Sequence, residues 1–353
     1  MNRSILIMAG GTGGHIFPAL AVADHLREDG WQVTWLGAPN SMEADLVAKH
    51  GYDIALVRFS GLRGKGLLRK LLLPFNLAIA LMQSAVVLFR IRPDVVLGMG
   101  GYITIPGGLM AALLRRPLVI HEQNSVAGLS NKVLAYLATR VVSGFPGVLP
   151  RALWSGNPVR SSIVALAVPQ SRYDTRRGRL NVLVVGGSLG AQVLNAVLPE
   201  ALALMDESVR PVMLHQTGKN NYAGVVAAYQ KVNIQADIRP FIDDMALAYY
   251  DADLVICRAG ALTIAELAAA GVASLLIPYP YAVDDHQTHN AQFLSEQGAA
   301  IFLPQSALNA ETLAKLIAGL SREKLLNMAQ QARHLAKPDA AEDVAKICKE
   351  LAE

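Results

Sequence analysis

The chain has 353 residues, enough for two domains of ordinary size, and 52% of them are hydrophobic against 17% charged. A net charge of +4 suits anionic substrates or an anionic membrane surface. It is too small to mark a nucleic-acid binder, because no aromatic residues interleave with the basic ones. The two cysteines, Cys257 and Cys348, form no CxxC pair, which excludes a disulfide framework or zinc knuckle and fits a reducing compartment.

Strand-like runs at 5–9, 32–36, 54–58, 95–98, 118–121 and 140–143 alternate with helix-like runs. A second series follows at 181–185, 212–215, 238–241, 254–257, 274–278 and 300–303. The alternation predicts parallel α/β sheets with helices on both faces. The string GGTGGH at 10–15 joins the first strand to a helical run at 18–26. A strand, a glycine turn and a helix N-terminus make an anion site, where outward N–H groups and the helix dipole favour phosphate. Glycines let the backbone approach a bulky ligand. The device recurs in VLVVGGSLGAQVLN at 182–195, so the chain is expected to handle phosphorylated ligands across a cleft between two similar lobes. Neither turn completes a GxGxxG or GxGxxA dinucleotide pattern, and Gly218-Lys219-Asn220 fails as a Walker A loop.

Residues 71–89 run without a charge and nearly match a bilayer in length, at ~1.5 Å per residue. Asn76, Gln83 and Arg90 recur on one face, and the segment lies where a crossover helix belongs, so a buried or half-buried helix is expected. Before it, Arg63, Lys65, Arg69 and Lys70 stand among leucines, which reads either as an interfacial membrane contact or as a solvated loop. The polar stretch 170–179 is expected to be a linker or surface loop, with a domain boundary near 160.

Five segments carry candidate site residues. His15, at the start of the first helix, is the leading general base, because the dipole there disfavours imidazolium; capping or packing is the alternative. Glu122 and Asn124, in HEQN at 121–124, either enter the cleft or shape a turn. Arg160, in GNPVR at 156–160, neutralises a diphosphate or forms an interdomain salt bridge. Thr263 and Glu266 match a capping box, while the amides near Ala261, Leu262 and Thr263 could meet a diphosphate and Glu266 a ribose diol. DDHQTHN at 284–290 reads as an Asp-capped helix start in preference to a metal site, leaving Gln287 for sugar hydroxyls.

These strings, with SGLRGKG at 60–66, PDVVLGMGGY at 93–102, FIDDM at 241–245 and RAGALTIAELAAAG at 258–271, resemble one family. It is the family 28 of glycosyltransferases that carry N-acetylglucosamine from UDP-N-acetylglucosamine to a lipid-linked muramoyl-pentapeptide. The resemblance implies the GT-B architecture, two Rossmann-like doubly wound parallel-sheet domains facing a central cleft. It implies an acceptor-side domain at 1–160, a donor-binding domain at 161–337 and a C-terminal helix at 338–353 that packs back on the first. It further implies an inverting transfer to the muramoyl C4 hydroxyl at the cytoplasmic face of the bacterial plasma membrane, with peripheral attachment. No metal or other cofactor and no nucleic acid is called for. Donor contacts carry over to Thr12, Gly13, Gly14, Asn124 and Arg160, and to Ser188 for the diphosphate and Ile242 for the uracil. Ala261, Leu262, Thr263, Ile264, Ala265 and Glu266 carry over for diphosphate and ribose, and Gln287 for the sugar. His15 is then the candidate base, Glu122 the weaker one, and the glycine loops of the first lobe would receive the acceptor's diphosphate.

Overall fold

Short apolar runs buried on both faces build two parallel sheets in the computed structural model, which describes residues 3–59, 72–187 and 190–353. The chain divides into one unit of Met1–Arg160 with Lys337–Glu353, and a second of Ser161–Ala336. In the first unit the strands are β1 (Ser4–Met8), β2 (Gln32–Gly37), β3 (Asp53–Leu56), β4 (Val95–Gly98), β5 (Leu118–Glu122), β6 (Arg140–Ser143) and β7 (Leu153–Trp154). They lie in the order β3-β2-β1-β4-β5-β6-β7. Alternation splits β1 between two cores. Ile5 and Ile7 pack with the helix Gly13–Glu28, while Leu6 and Met8 pack with Ala80, Leu88 and Ala111.

The second unit holds β8 (Asn181–Val185), β9 (Val212–Gln216), β10 (Asp237–Arg239), β11 (Leu254–Cys257), β12 (Ala273–Leu276) and β13 (Ala300–Phe302), in the order β10-β9-β8-β11-β12-β13. Strand order reverses at β1/β4 and again at β8/β11. Loops leaving the carboxyl ends of such strands diverge and open a crevice, which is where ligands bind in doubly wound sheets. Both glycine loops sit at these two points.

Two expectations need revision. The stretch 170–179 is no loose linker. Pro169–Asp174 is a helix, and Arg172 is 2% exposed. Its guanidinium donates to the carbonyls of Tyr249, Ala270 and Gly271. The last two are orphan acceptors at the C-terminus of the helix Ala261–Ala270, so the arginine is buried because a helix end needs donors. Arg176 adds an ion pair to the buried Asp253 at 2.9 Å.

The helix Leu73–Ile91 is less covered than expected. It buries Ala80, Ser84 and Leu88 and packs along the helix Thr104–Leu113. Phe75, Met82, Val86 and Phe89 are between 64% and 69% exposed. A crossover helix needs only one stripe against its sheet, and here the outer face stays apolar too. By length and composition alone it could cross a membrane. The preceding basic run at 60–71 lies outside the described residues.

The last helix, Ala340–Glu350, packs on Gly13–Glu28 and buries Val344, Ala345 and Cys348 in the core of the first unit.

Candidate functional site

In the first unit the loops after β1 and β4 touch. A Cβ on Gly101 would lie 2.2 Å from the Gly10 carbonyl oxygen, and one on Gly100 would lie 2.8 Å from His15 Nδ1. Both glycines have φ of +90 or above, so they are demanded by close approach of the loops and by backbone conformation. Glu43, wholly buried, reaches into the same turn. Its carboxylate accepts from Gly11 N at 3.2 Å and Ala38 N at 3.3 Å. One amide of the GGTGG turn is therefore already satisfied from within the protein. Sequence reading passed over Glu43, because an acidic residue in a first helical turn has an ordinary explanation in the dipole.

Thr12 is the N-cap of the helix Gly13–Glu28, without a side-chain capping bond, and Gly13 and Gly14 form its first turn. His15 is the third helical residue, half-buried, with Nδ1 2.8 Å from Gln123 Oε1. Glu122 does not stand ready as a base. It is 1% exposed, and Oε1 accepts from Asn124 N at 2.9 Å and Asn124 Nδ2 at 3.3 Å. Oε2 accepts from Gly128 N at 3.0 Å and Asn131 Nδ2 at 2.9 Å. All four lone-pair positions of the carboxylate are taken, so Glu122 holds the loop that carries Asn124. Arg160 is half-buried at the end of the continuous part of the first unit.

In the second unit a cavity of about 840 Å³ opens at the β8/β11 switch point. Its lining includes Gly186, Gly187 and Gly190, then Arg258, Gly260 and Thr263, and Gln287 and Gln305 with Tyr279 and Tyr281. Two helix N-termini serve it, those of Gln192–Ala203 and Ala261–Ala270. With Arg258 they concentrate positive potential beside bare glycine backbone, the chemistry of a diphosphate site. Arg258 is aimed by bonds to the carbonyls of Ile277 and Pro278, both 3.0 Å, and to Gln305 Oε1 at 2.7 Å. Ser188 lies outside the described residues.

The N-cap of Ala261–Ala270 is Gly260, so Thr263 and Glu266 form no capping box. Ala261, Leu262 and Thr263 are the first-turn residues whose N–H groups find no intrahelical acceptor. Ile264 does not belong with them. Its amide donates to Gly260 O at 2.9 Å and its side chain is 1% exposed in the core. Ala265, one residue further along, is likewise inside the helix, and Glu266, 6% exposed, accepts from Tyr249 OH at 3.1 Å. Gln287 lines the cavity, but its Oε1 accepts from Tyr279 N at 2.9 Å and Ala259 N at 3.3 Å, tying two loops together. Ile242 is buried, its amide 3.2 Å from Gln216 Oε1.

Asp285 occupies an N-cap position without capping. Its φ of +50 turns the side chain away, and it accepts instead from Thr288 Oγ1 at 2.7 Å. His286 and His289 bond the carbonyls of Val283 and Asp285. Among the described residues no group of three or more His, Cys, Asp or Glu could hold a metal ion.

Known proteins carry the same pattern. Residues 5–143 match the family model for the glycosyltransferase family 28 N-terminal domain, and residues 181–344 that for its C-terminal domain. The chain is similar to the UDP-N-acetylglucosamine–N-acetylmuramyl-(pentapeptide) pyrophosphoryl-undecaprenol N-acetylglucosamine transferase of Cupriavidus metallidurans, 60% identical over 99% of this chain and 98% of that one. It is 61% identical to the protein of the same name from Aromatoleum aromaticum, at the same coverage. The crystal structure of Acinetobacter baumannii MurG superposes with a TM-score of 0.87 at 42% identity, covering 99% of each chain. The calicheamicin glycosyltransferase CalG4, at 17% identity and a TM-score of 0.68 over 100% of both chains, shares the fold.

Proposed function

We infer the reaction from one premise: the chain belongs to glycosyltransferase family 28. It is a GT-B enzyme of peptidoglycan synthesis that moves N-acetylglucosamine from UDP-N-acetylglucosamine to N-acetylmuramyl-(pentapeptide) pyrophosphoryl-undecaprenol. The cavity at the β8/β11 switch point carries the chemical reading, because two helix N-termini and Arg258 meet there around glycine backbone. The UDP diphosphate binds the amides of Ala261, Leu262 and Thr263 and the loop that contains Ser188. Preorganised donors of this kind hold the charge that develops on the leaving group, typically ~3–4 kcal/mol each by analogy with oxyanion holes. Ile242 takes the uracil, Glu266 shares the ribose with Tyr249, and Gln287 contributes its amide nitrogen to the sugar. Thr12, Gly13, Gly14, Asn124 and Arg160 keep the donor-sugar roles implied by the family resemblance.

Transfer to the C4 hydroxyl with inversion is one displacement, so a base must take the hydroxyl proton opposite the leaving UDP. His15 is read as that base. It stands in the first helical turn, half-buried, and one ring nitrogen is already bonded to Gln123, which leaves the other for the acceptor. The apolar outer face of Leu73–Ile91, beside the basic run at 63–70, supports peripheral docking on the anionic cytoplasmic face of the plasma membrane.

Two measurements test the reading. UDP-N-acetylglucosamine at about 100 times its Kd raises stability by ~2.7 kcal/mol, while UDP-glucose, UDP-N-acetylgalactosamine and NADH give less at equal concentration. His15→Ala lowers turnover with donor affinity unchanged, and wild-type turnover in that variant removes His15 from the mechanism.

A further inference from the structure

We propose that Gln123 and His121 are positioning residues that hold His15 with its proton on Nδ1, leaving Nε2 as the proton acceptor. The proposal deepens the reading of His15 as base and rests on it. Two main-chain carbonyls, which can only accept, fix the direction of every bond in the chain. His121 Nε2 lies 2.9 Å from Gly156 O, so it carries a proton. Burial drives the pKa of His121 down to about 4, which keeps the ring neutral and makes Nδ1 an acceptor. Gln123 Nε2 lies 3.0 Å from that Nδ1 and 3.2 Å from His121 O. The second contact decides which end of the amide faces His121, because an oxygen there would oppose the carbonyl. Gln123 Oε1 therefore faces His15 Nδ1 at 2.8 Å, and His15 must supply the proton.

No member of this chain can turn over independently. His121 is 0% and Gln123 1% exposed, so water cannot replace either partner. Asn157 Nδ2 pins the main chain of Gln123 through its carbonyl at 2.9 Å. Gly100 supplies the space in which the His15 ring lies against Gln123. The alternative tautomer would present an N–H to an acceptor hydroxyl that must lose its own proton. It would also leave Nδ1 facing Gln123 Oε1, acceptor against acceptor.

The test labels histidine with ¹⁵N and reads the two-bond imidazole correlations, with His15 assigned by the signals lost in His15→Ala. In the wild type His15 is expected as the Nδ1–H tautomer and His121 as Nε2–H. Gln123→Leu removes both links, so His15 populates both tautomers. Its kcat falls roughly 10- to 100-fold with donor KM unchanged, a scale taken by analogy with outer-shell partners of metal-ligating histidines. Gln123→Glu keeps an acceptor on His15 Nδ1, so His15 retains the wild-type tautomer, but it turns an oxygen on His121 Nδ1 and O, so the His121 link is lost and the neutral His121 Nε2–H signal is perturbed. A wild-type His15 protonated on Nε2 overturns the proposal even if no variant folds, and so does Gln123→Leu with unchanged tautomer and kcat. A Gln123→Leu enzyme whose tautomer changes while kcat does not would instead overturn His15 as base and leave the hydrogen-bond chain standing.

Discussion

Glu122→Gln separates a scaffold from a base. Each carboxylate oxygen of Glu122 accepts two N–H groups, Asn124 N and Nδ2 on one, Gly128 N and Asn131 Nδ2 on the other. Glutamine presents one oxygen, so whichever way the amide turns, its NH₂ meets two donors. Two hydrogen bonds to a charged acceptor are lost, at ~1.5–3 kcal/mol each. Because water reaches the half-buried Asn124, the lower end applies, about 3 kcal/mol. At ~2–4 °C per kcal/mol, the transition of the first unit moves down by roughly 6–12 °C. Asn124, with its main chain and side chain both held by Glu122, loses its orientation, and donor KM rises. Differential scanning calorimetry with steady-state kinetics reads both effects. Wild-type melting together with a fallen kcat and unchanged KM is the signature of a lost proton acceptor, and would refute the scaffold assignment.

Three further outcomes follow from the geometry. His121 and His215 are buried, and burial lowers each pKa to about 4 from 6.5. Neutral rings are thus favoured in the folded state, so the stability they contribute is complete above about pH 6.5 and is lost as pH falls toward 4. By pH 5 each costs ~2 kcal/mol, and urea midpoints that do not fall between pH 7 and pH 5 would contradict this. Arg172→Met strips donors from three buried carbonyls and lowers the stability of the second unit by ~3–5 kcal/mol; an unchanged urea midpoint would show that the carbonyls find other partners. Phe75→Ser with Phe89→Ser removes two exposed aromatic side chains, each worth ~1.5–3 kcal/mol when fully buried in an apolar phase. Partition onto anionic vesicles is expected to fall at least tenfold, and undiminished sedimentation with vesicles would place the membrane contact elsewhere.

The two sheets were legible because a fully buried parallel strand leaves an unbroken apolar run, as in β1, β8 and β11. β7 was not, since two residues carry no period. Glycine loops after strands marked both switch points correctly, yet the composition of GMGGY could not reveal that Gly101 is demanded by the neighbouring Gly10 backbone. Polar residues were harder. Arg172, Glu122 and Gln287 read as solvated or ligand-facing, and each spends side-chain atoms on main-chain groups of its own unit. A sequence shows that a side chain can hydrogen-bond, but not whether the partner is substrate or a nearby amide. His121 and Gln123 were within reach, because residues two apart at a strand end share a face and HEQN was already marked.

The first unit takes its final helix, Ala340–Glu350, from the far end of the chain. During synthesis the second unit is finished before the first can close, and until residues 337–353 leave the ribosome Gly13–Glu28 lacks the cover of Val344, Ala345 and Cys348. The helix that begins at the GGTGG turn is therefore the last to be sealed, and a nascent chain cannot complete its first unit until residues 337–353 have emerged.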